Sequence, residues 1–465
     1  MSRFGAALAA DPDAAMAARR AAHGALGRVA GAPDLVVVTA ALADPDSADQ
    51  VAAAVARAVA ATGNEHCAIV GTMAENVMGE TSLGNAAAPG HAFGSESGGA
   101  SGHGGFGGLG GSGDTWAPGY AAAAQGGAPR PGHTSVAVWA ARLPGTRVRA
   151  FRLHSHRPTR PFEGTGGVGG ADGAEGQPSN GAMAIGGLPE PWPDERVALL
   201  FADPYSFPVD GFLARCNTLL PDLPFVGGLA PGPAGYGSAR LLLGSQAYAT
   251  GAVGVLLGGE VHAAIAVSQG CRAIGPAMTV TAAEGDVLLG LAGRPAYQRL
   301  REILAELPED LREQASATGL HLGIALNEYA ERHDSGDFLI RGVVGVQPER
   351  DGIQVGEHVQ VGQTVCFQVR DAASAAEQLR AVLRKARRRP GYETIGGALL
   401  VSCHGRAAGL FPPPFGASHD LHTVRTELGT GAVAGFFGTG EIGPVGGRNH
   451  LHGYTASVLA FAEQE

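Results

Sequence analysis

Residues 396–411 read GGALLVSCHGRAAGLF, and residues 434–461 read AGFFGTGEIGPVGGRNHLHGYTASVLAF. In each stretch an apolar strand runs into polar, glycine-rich sequence. Cys403, His404, Arg406, Glu441, Arg448, Asn449, His450 and His452 fall in or just after those breaks. Glycine lets a backbone turn sharply and approach a ligand closely. In α/β proteins, strands deliver such side chains to one edge of a sheet. The ending therefore reads as the rim of a binding pocket, with a packed glycine-rich turn as the competing reading.

Outward from this stretch, one order of events occurs three times. Residues 35–39 form a strand, Ser47 and Gln50 make a capping-box signature, and Val51, Val55 and Val59 recur at helical spacing. Residues 68–70 then return as a strand that ends at Gly71. Residues 197–201, 209–220 and 225–226 repeat the order, ending at Gly227-Gly228. Residues 398–401, 418–428 and 433–437 repeat it again, ending at Gly438. Each unit predicts a right-handed β-α-β crossover. The three glycine ends are candidate site edges, since ligands in such sheets sit beyond the carboxyl ends of the strands.

The rest of the chain reads as mixed. Asp11-Pro12 opens a helix that Gly31 closes. Pro144-Gly145 and Gly258-Gly259 predict two hairpins, pairing residues 135–140 with 148–153 and 251–257 with 261–267. A helix over 295–307, a strand over 364–369 and a helix over 372–388 capped by Asp371 follow. The fold class is α/β with mixed α+β character, mixed sheets covered by helices. Residues 84–131 and 164–187 are dominated by glycine, alanine and serine and read as flexible insertions.

Composition excludes several classes. A formal net charge of -10 argues against a nucleic-acid partner. Lys385 is the sole lysine and no G-x-x-x-x-G-K-[ST] surrounds it, which excludes a P-loop. The basic run from Arg384 to Arg389 ends a helix, where cations suit the macrodipole. Five scattered cysteines without a C-x-x-C suggest reduced thiols and a cytoplasmic protein. No signal peptide, membrane span, cofactor or metal site is expected. His450 and His452 alone make a weak metal set.

Several fragments together resemble the FIST family, a paired N and C domain. They are Ser268-Gln269-Gly270-Cys271-Arg272 with Ile274-Gly275-Pro276, Gly336-Asp337-Phe338-Leu339-Ile340-Arg341, Val361-Gly362-Gln363-Thr364, Ser402-Cys403-His404-Gly405-Arg406, and the run from Gly435 to Asn449. Behind an N-terminal helical segment over 1–32, the resemblance implies a FIST-N domain over 33–290 and a FIST-C domain over 291–465. It further implies a sensory, signal-transduction module that binds a small ligand, such as an amino acid, and acts through a signalling partner. No established catalytic activity accompanies the family. The chain departs from the family pattern at Thr72, His404 and Gly342, which stand where the family commonly has Cys, Asn and Asn.

The ligand-binding candidates are Arg341, Cys403, Gly405, Arg406, Gly440, Glu441, Asn449, Cys271 and Arg272. A planar guanidinium at Arg406 or Arg341 suits a carboxylate, although Arg341 also reads as pairing with Asp337 to fix a turn. Glu441 suits an amine, or equally its own loop's N–H groups. Cys403 beside Arg406 raises the alternative of a cysteine-dependent hydrolase or transferase. Its strand neighbour His404 points to the opposite face and is poorly placed as a base. A buried structural cysteine is the competing reading for both Cys403 and Cys271.

Overall fold

A computed structural model describes residues 3–79, 133–156, 184–230, 232, 235–330, 333, 336–407, 410–411 and 415–463. The first module runs β1 (Phe4–Asp11), α1 (Ala14–Leu26), β2 (Leu35–Ala41), α2 (Ala48–Ala60), β3 (Ala68–Met73), β4 (Val77–Met78) and β5 (Thr134–Ala141). The second runs β6 (Thr146–His156), β7 (Ala184–Gly186), β8 (Glu195–Ala202), α3 (Val209–Leu219), β9 (Phe225–Leu229), β10 (Leu241–Leu243), β11 (Gln246–Tyr248) and β12 (Ala252–Gly259).

The third module opens with β13 (Ala263–Ser268) and is then interrupted. The interruption comprises β14 (Cys271–Glu284), β15 (Val287–Leu291), β16 (Arg294–Pro295), α4 (Ala296–Glu306), α5 (Glu309–Thr318), β17 (Leu320–Ala325), β18 (Phe338–Gln347), β19 (Gly352–Val355) and β20 (Thr364–Arg370). The module resumes with α6 (Ala372–Arg387), β21 (Ile395–Cys403), α7 (His404–Ala407), α8 (His419–Leu428), β22 (Val433–Gly438), β23 (Gly440–Val445), β24 (Arg448–His452) and β25 (Ala456–Ala462).

Three sheets share one pairing scheme. In each, two parallel strands joined through a helix (β2 and β3, β8 and β9, β21 and β22) lie side by side. The first of each pair takes an antiparallel neighbour, β5, β12 or β25, which takes β1, β6 or β13 in turn. The second of each pair is completed by a strand from another module. The second module lends β10 to the first sheet, the third lends β23 to the second, and the first lends β4 to the third.

The inner faces of these sheets form one shared core that includes Phe4, Trp139, Phe201, Phe436 and Phe461. Trp139 and Phe461 pack with ring centroids 5.3 Å apart, and Phe201 meets Phe436 edge-on at 5.7 Å. Such contacts contribute about 0.5–1.5 kcal/mol each beyond burial. The outer faces are covered by helices, α1 and α2 on the first sheet, α3 on the second, α6 and α8 on the third. The buried face of α1 is almost all alanine, which lets helix and sheet approach closely.

A fourth sheet, ordered β14-β20-β17-β18-β19-β15-β16, comes from the interruption. Strands from either side of residue 290 share the second, third and fourth sheets, with β9 pairing β23, β13 pairing β25 and β14 pairing β20.

Both expected hairpins are replaced by crossings between sheets. After Pro144-Gly145 the chain passes from β5 in the first sheet to β6 in the second, and after Gly258-Gly259 from β12 to β13 in the third. The turn residues mark the bend correctly, but each flanking strand finds its partners elsewhere. The N-terminal helix starts at Ala14, capped by Asp13, behind strand β1, which the sequence reading missed. Residues 84–131 and most of the second glycine-rich tract lie outside the described residues, while Ala184–Gly186 of that tract forms β7.

Gly71 and Gly227 lie within strands and do not end them. With Gly435 they hold one register, opposite Val38, Leu200 and Leu400. A Cβ there would stand 2.0, 1.8 and 1.7 Å from the respective carbonyl oxygens. Alanine at Gly71, Gly227 or Gly435 is expected to cost about 2–3 kcal/mol in urea unfolding by overpacking. By contrast Gly211→Ala, in α3 with open space around it, is expected to gain roughly 0.5–1 kcal/mol.

Candidate functional site

The fourth sheet has two unlike faces. One is apolar and packs under α4 and α5 through Met278, Leu322, Val365, Phe367 and Val369. On the other, Cys366, Gln368 and Arg370 alternate along β20 and so share a side. Opposite them in register stand Gly323, His321 and Cys271. Gln368, His321 and Arg370 are buried, so this polar face is turned inward. It meets the carboxyl end of β21, helix α7, strand β23 and the turn carrying Tyr454.

Arg406 on α7 is 1% exposed and is held by Asp420 on α8, itself 2% exposed. Its Nε donates to Oδ2 at 2.7 Å and its Nη2 to Oδ1 at 2.9 Å. Ser402 Oγ donates to the same carboxylate at 2.7 Å, and His419 Nδ1 lies 3.1 Å from it. Burial pushes the Asp420 carboxyl up, but Arg406, His419 and Ser402 outweigh it and hold the group well below the usual carboxylate range. For Arg406 burial works downward, and Asp420 more than restores the charge. The pair fixes the arginine in a water-poor setting, where an unpaired guanidinium would be very costly.

Glu441 on β23 is fully buried. Its Oε2 accepts the Thr455 N–H at 3.0 Å. Burial pushes its carboxyl well above the ordinary range, against the pull of Thr455, Arg406, the Cys403 thiol and Arg370. Cys403 is raised well above the usual thiol by burial first and then by Glu441. Burial likewise pushes Cys271 up to about 12, opposed by Arg370 and Arg406. Both thiols are therefore held protonated, the reverse of an activated nucleophile.

Tyr454 ties the halves together. Its ring lies against the Arg370 guanidinium and meets His321 edge-on at 5.1 Å. It also packs over Gly405, where a Cβ would come within 2.6 Å of the ring. Its φ of 64° is left-handed, a strained choice for a bulky residue that clusters at functional sites. Burial and Arg370 together bring His321 down to about 3.

Among the described residues, Glu441 Oε1, Arg406 Nη1, His321 Nδ1 and both amide atoms of Gln368 are buried without a hydrogen-bond partner. Native proteins satisfy nearly all such atoms. These unpartnered atoms gather around one sheet face, beside two arginines.

Of the residues singled out from sequence, Cys271, Cys403, Gly405, Arg406 and Glu441 come together here. Arg341 does not join them. Its Nε pairs with Glu357 at 3.0 Å and its Nη1 donates to the carbonyls of Ile340 and Leu451. Asn449 ties β24 to the second module, accepting from Phe225 N at 2.8 Å and donating to Leu223 O at 3.0 Å. Gly440 permits close packing against Leu229 and Leu451. Arg272 is exposed beside Asp371, whose carboxyl it helps to lower. His452 Nε2 donates to the Gly443 carbonyl oxygen, 3.0 Å away. Burial and Arg341 hold His450 at about 4 and His452 at about 3. Sequence reading missed His321, Gln368, Arg370, Asp420 and Tyr454. The period-two pattern Cys366, Gln368, Arg370 on an apolar strand was the signal for two of these, Gln368 and Arg370.

The architecture is α/β with several mixed sheets, and the fourth sheet turns a polar face inward. Residues 34–294 match the FIST N domain and residues 296–444 the FIST C domain, and the chain belongs to the FIST family. FIST domains are associated with signal transduction and small-ligand sensing. The chain is 46% identical over 266 residues to "Uncharacterized protein Rv0628c" of Mycobacterium tuberculosis (strain ATCC 25618 / H37Rv), spanning 57% of this chain and 68% of the relative. It is 45% identical over 266 residues to "Uncharacterized protein Mb0898c" of Mycobacterium bovis (strain ATCC BAA-935 / AF2122/97), spanning 57% and 67%. Among the described residues no helix is long and apolar enough to cross a membrane.

Two outcomes follow from the buried network. Asp420→Asn leaves Arg406 unpaired and is expected to cost about 3–5 kcal/mol at neutral pH. Because the folded Asp420 carboxyl lies below its unfolded value, its stabilisation is full above the ordinary carboxylate range and is lost as pH falls through the folded value. The gap between wild type and variant in urea unfolding should therefore close only in acid. Cys403 should react with iodoacetamide at pH 7 at least about tenfold more slowly in the folded than in the unfolded chain, since each unit of upward shift removes about nine-tenths of the thiolate. Peptide mapping of the labelled thiols measures this.

Proposed function

We propose that the chain is a cytoplasmic sensor that binds a small polar metabolite, an amino acid or related carboxylic acid, in the buried cluster between the third and fourth sheets. Arg406, Glu441 and Gln368 make the polar contacts, and Cys403, Cys271 and the backbone at Gly405 line the approach. Arg341 stands outside as an anchor between β18 and β24. Occupancy is passed to a downstream signalling partner through the two elements the ligand touches at once, the fourth sheet and the α7–α8 segment. The observation that carries this reading is the set of buried, unpartnered polar atoms on Glu441, Arg406, His321 and Gln368.

Thermal-shift screening against amino acids and small carboxylic acids tests it. A ligand at 100 times its Kd should add about 2.7 kcal/mol of stability. Arg406→Ala should remove the shift. Gln368→Ala, which deletes unpartnered atoms and so spares the fold, should weaken binding at least about tenfold by removing a buried hydrogen-bonding group. A panel with no saturable shift, or a shift that survives both substitutions, would overturn the assignment.

A further inference from the structure

We propose that the fourth sheet, with α4 and α5, is a hinged wall that swings as one body away from the three-sheet body. It turns about Gln269–Gly270 and Arg370–Asp371 and uncovers the polar face. This motion is a property of the fold itself and does not depend on the ligand reading above.

The wall carries its own core. Its apolar residues, among them Ile274, Leu300, Leu322, Phe367 and Val369, cluster with one another under α4 and α5. Cys271, Ala325, Phe338, Ile340 and Cys366 form a smaller cluster, also within the wall. Among the described residues, no apolar cluster and no strand ladder joins the wall to the three sheets. Bodies joined by neither a common core nor a ladder are expected to move relative to one another.

The two connections lie side by side. Cys271 and Arg370, the first and last residues of the inserted strands, are register partners, so both crossings turn about one line. At each crossing the anchors change body from one residue to the next. Arg370 O accepts from Gln314 of α5, whereas Asp371 caps α6 at Ser374 N, 2.7 Å away. Gln269 grips the wall, accepting from Ile340 N at 3.0 Å and donating to the Phe338 carbonyl. The next residue, Gly270, donates its N–H to Gln378 of α6 at 2.7 Å. A few such residues at element ends are enough to absorb a hinge rotation. Gly270 is left-handed, with φ 66°. A Cβ there would stand 2.5 Å from Arg406 Nη1 and 2.9 Å from the Ala375 Cβ, so closure needs glycine.

What holds the wall shut is polar and incomplete. Arg341 Nη1 reaches the Leu451 carbonyl at 3.2 Å, and the Tyr454 ring lies against Arg370 and His321. His321 and Gln368 on the wall, and Arg406 and Glu441 facing it, keep buried atoms without partners when it is closed. Water reaches those atoms on opening, which lowers the cost of the motion.

Thiol labelling of the native full chain, without ligand, tests the hinge. Cys271 on the wall and Cys403 on β21 are buried at the boundary, whereas Cys216 is buried in the core under α3. Iodoacetamide labelling at pH 8 is mapped by peptide across sub-denaturing urea, each rate normalised to that of the unfolded chain. Cys271 and Cys403 should share one protection, at least about tenfold weaker than that of Cys216 and nearly independent of urea. Gly270→Ala, strained and crowded only when the wall is closed, should weaken the protection of both about tenfold or more. Leu213→Ala, in the core under α3 that closed and open forms have in common, should weaken that of Cys216 by at least about tenfold and leave the other two unchanged. If all three thiols have one protection and one urea slope, or if Leu213→Ala loosens all three alike, only global unfolding exposes the boundary and the hinge is overturned. Unequal protection of Cys271 and Cys403, or no response to Gly270→Ala, overturns it as well. The wild-type pattern decides alone should a variant not fold, and ligand binding is decided separately by the thermal-shift screen.

Discussion

No sheet of the three-module body is complete without a strand from another module. β10, β23 and β4 are each lent onward, so the three modules interlock in a cycle. The loan depends on close approach of the parallel pair in every sheet, which Gly71, Gly227 and Gly435 allow by lacking a Cβ at one shared register. The common aromatic core around Trp139, Phe436 and Phe461 closes only when all three inner faces are present. Stability is thus collective, and the contacts that secure it join residues far apart in the chain, an arrangement that folds slowly for topological reasons.

The chemistry is set by that rigidity. Arg406, Asp420, Glu441 and Arg370 are all charged or chargeable groups placed where water is scarce, which costs free energy unless partners are positioned in advance. Asp420 meets its full complement of partners. Glu441 does not, and one of its carboxyl oxygens is buried without a hydrogen-bond partner. The protonated thiols of Cys403 and Cys271 fit the same picture, since neutral sulfur tolerates burial beside a carboxyl better than a thiolate would.

Much of the scaffold was legible from local pattern. The three β-α-β units stood out because strand, cap and helix spacing are local properties, and the strands at 35, 68, 197, 225, 398 and 433 all exist. Pairing was not legible. Pro144-Gly145 and Gly258-Gly259 carry hairpin chemistry, yet the residues that decide partners are the apolar faces of β5, β6, β12 and β13, which look alike along the sequence. Within the site, Cys403, Arg406 and Glu441 were visible because they follow apolar strands into glycine. Asp420 was hidden as an ordinary acid in the first turn of a helix, where capping explains such residues without reference to a site. His321 and Gln368 were hidden because two strands must be set in register before they become neighbours.

In the first module, β1 connects to α1 through Pro12 and Asp13 alone, whereas in the third the corresponding link from β13 to α6 holds the whole fourth sheet. The three sheets share one pairing scheme, and in the third module the fourth sheet separates the first strand from the helix that follows. The insertion brings a second wall of polar side chains to a strand end that elsewhere is merely packed. Substitutions on the inserted wall can change these polar contacts while leaving the three sheets and their lent strands untouched.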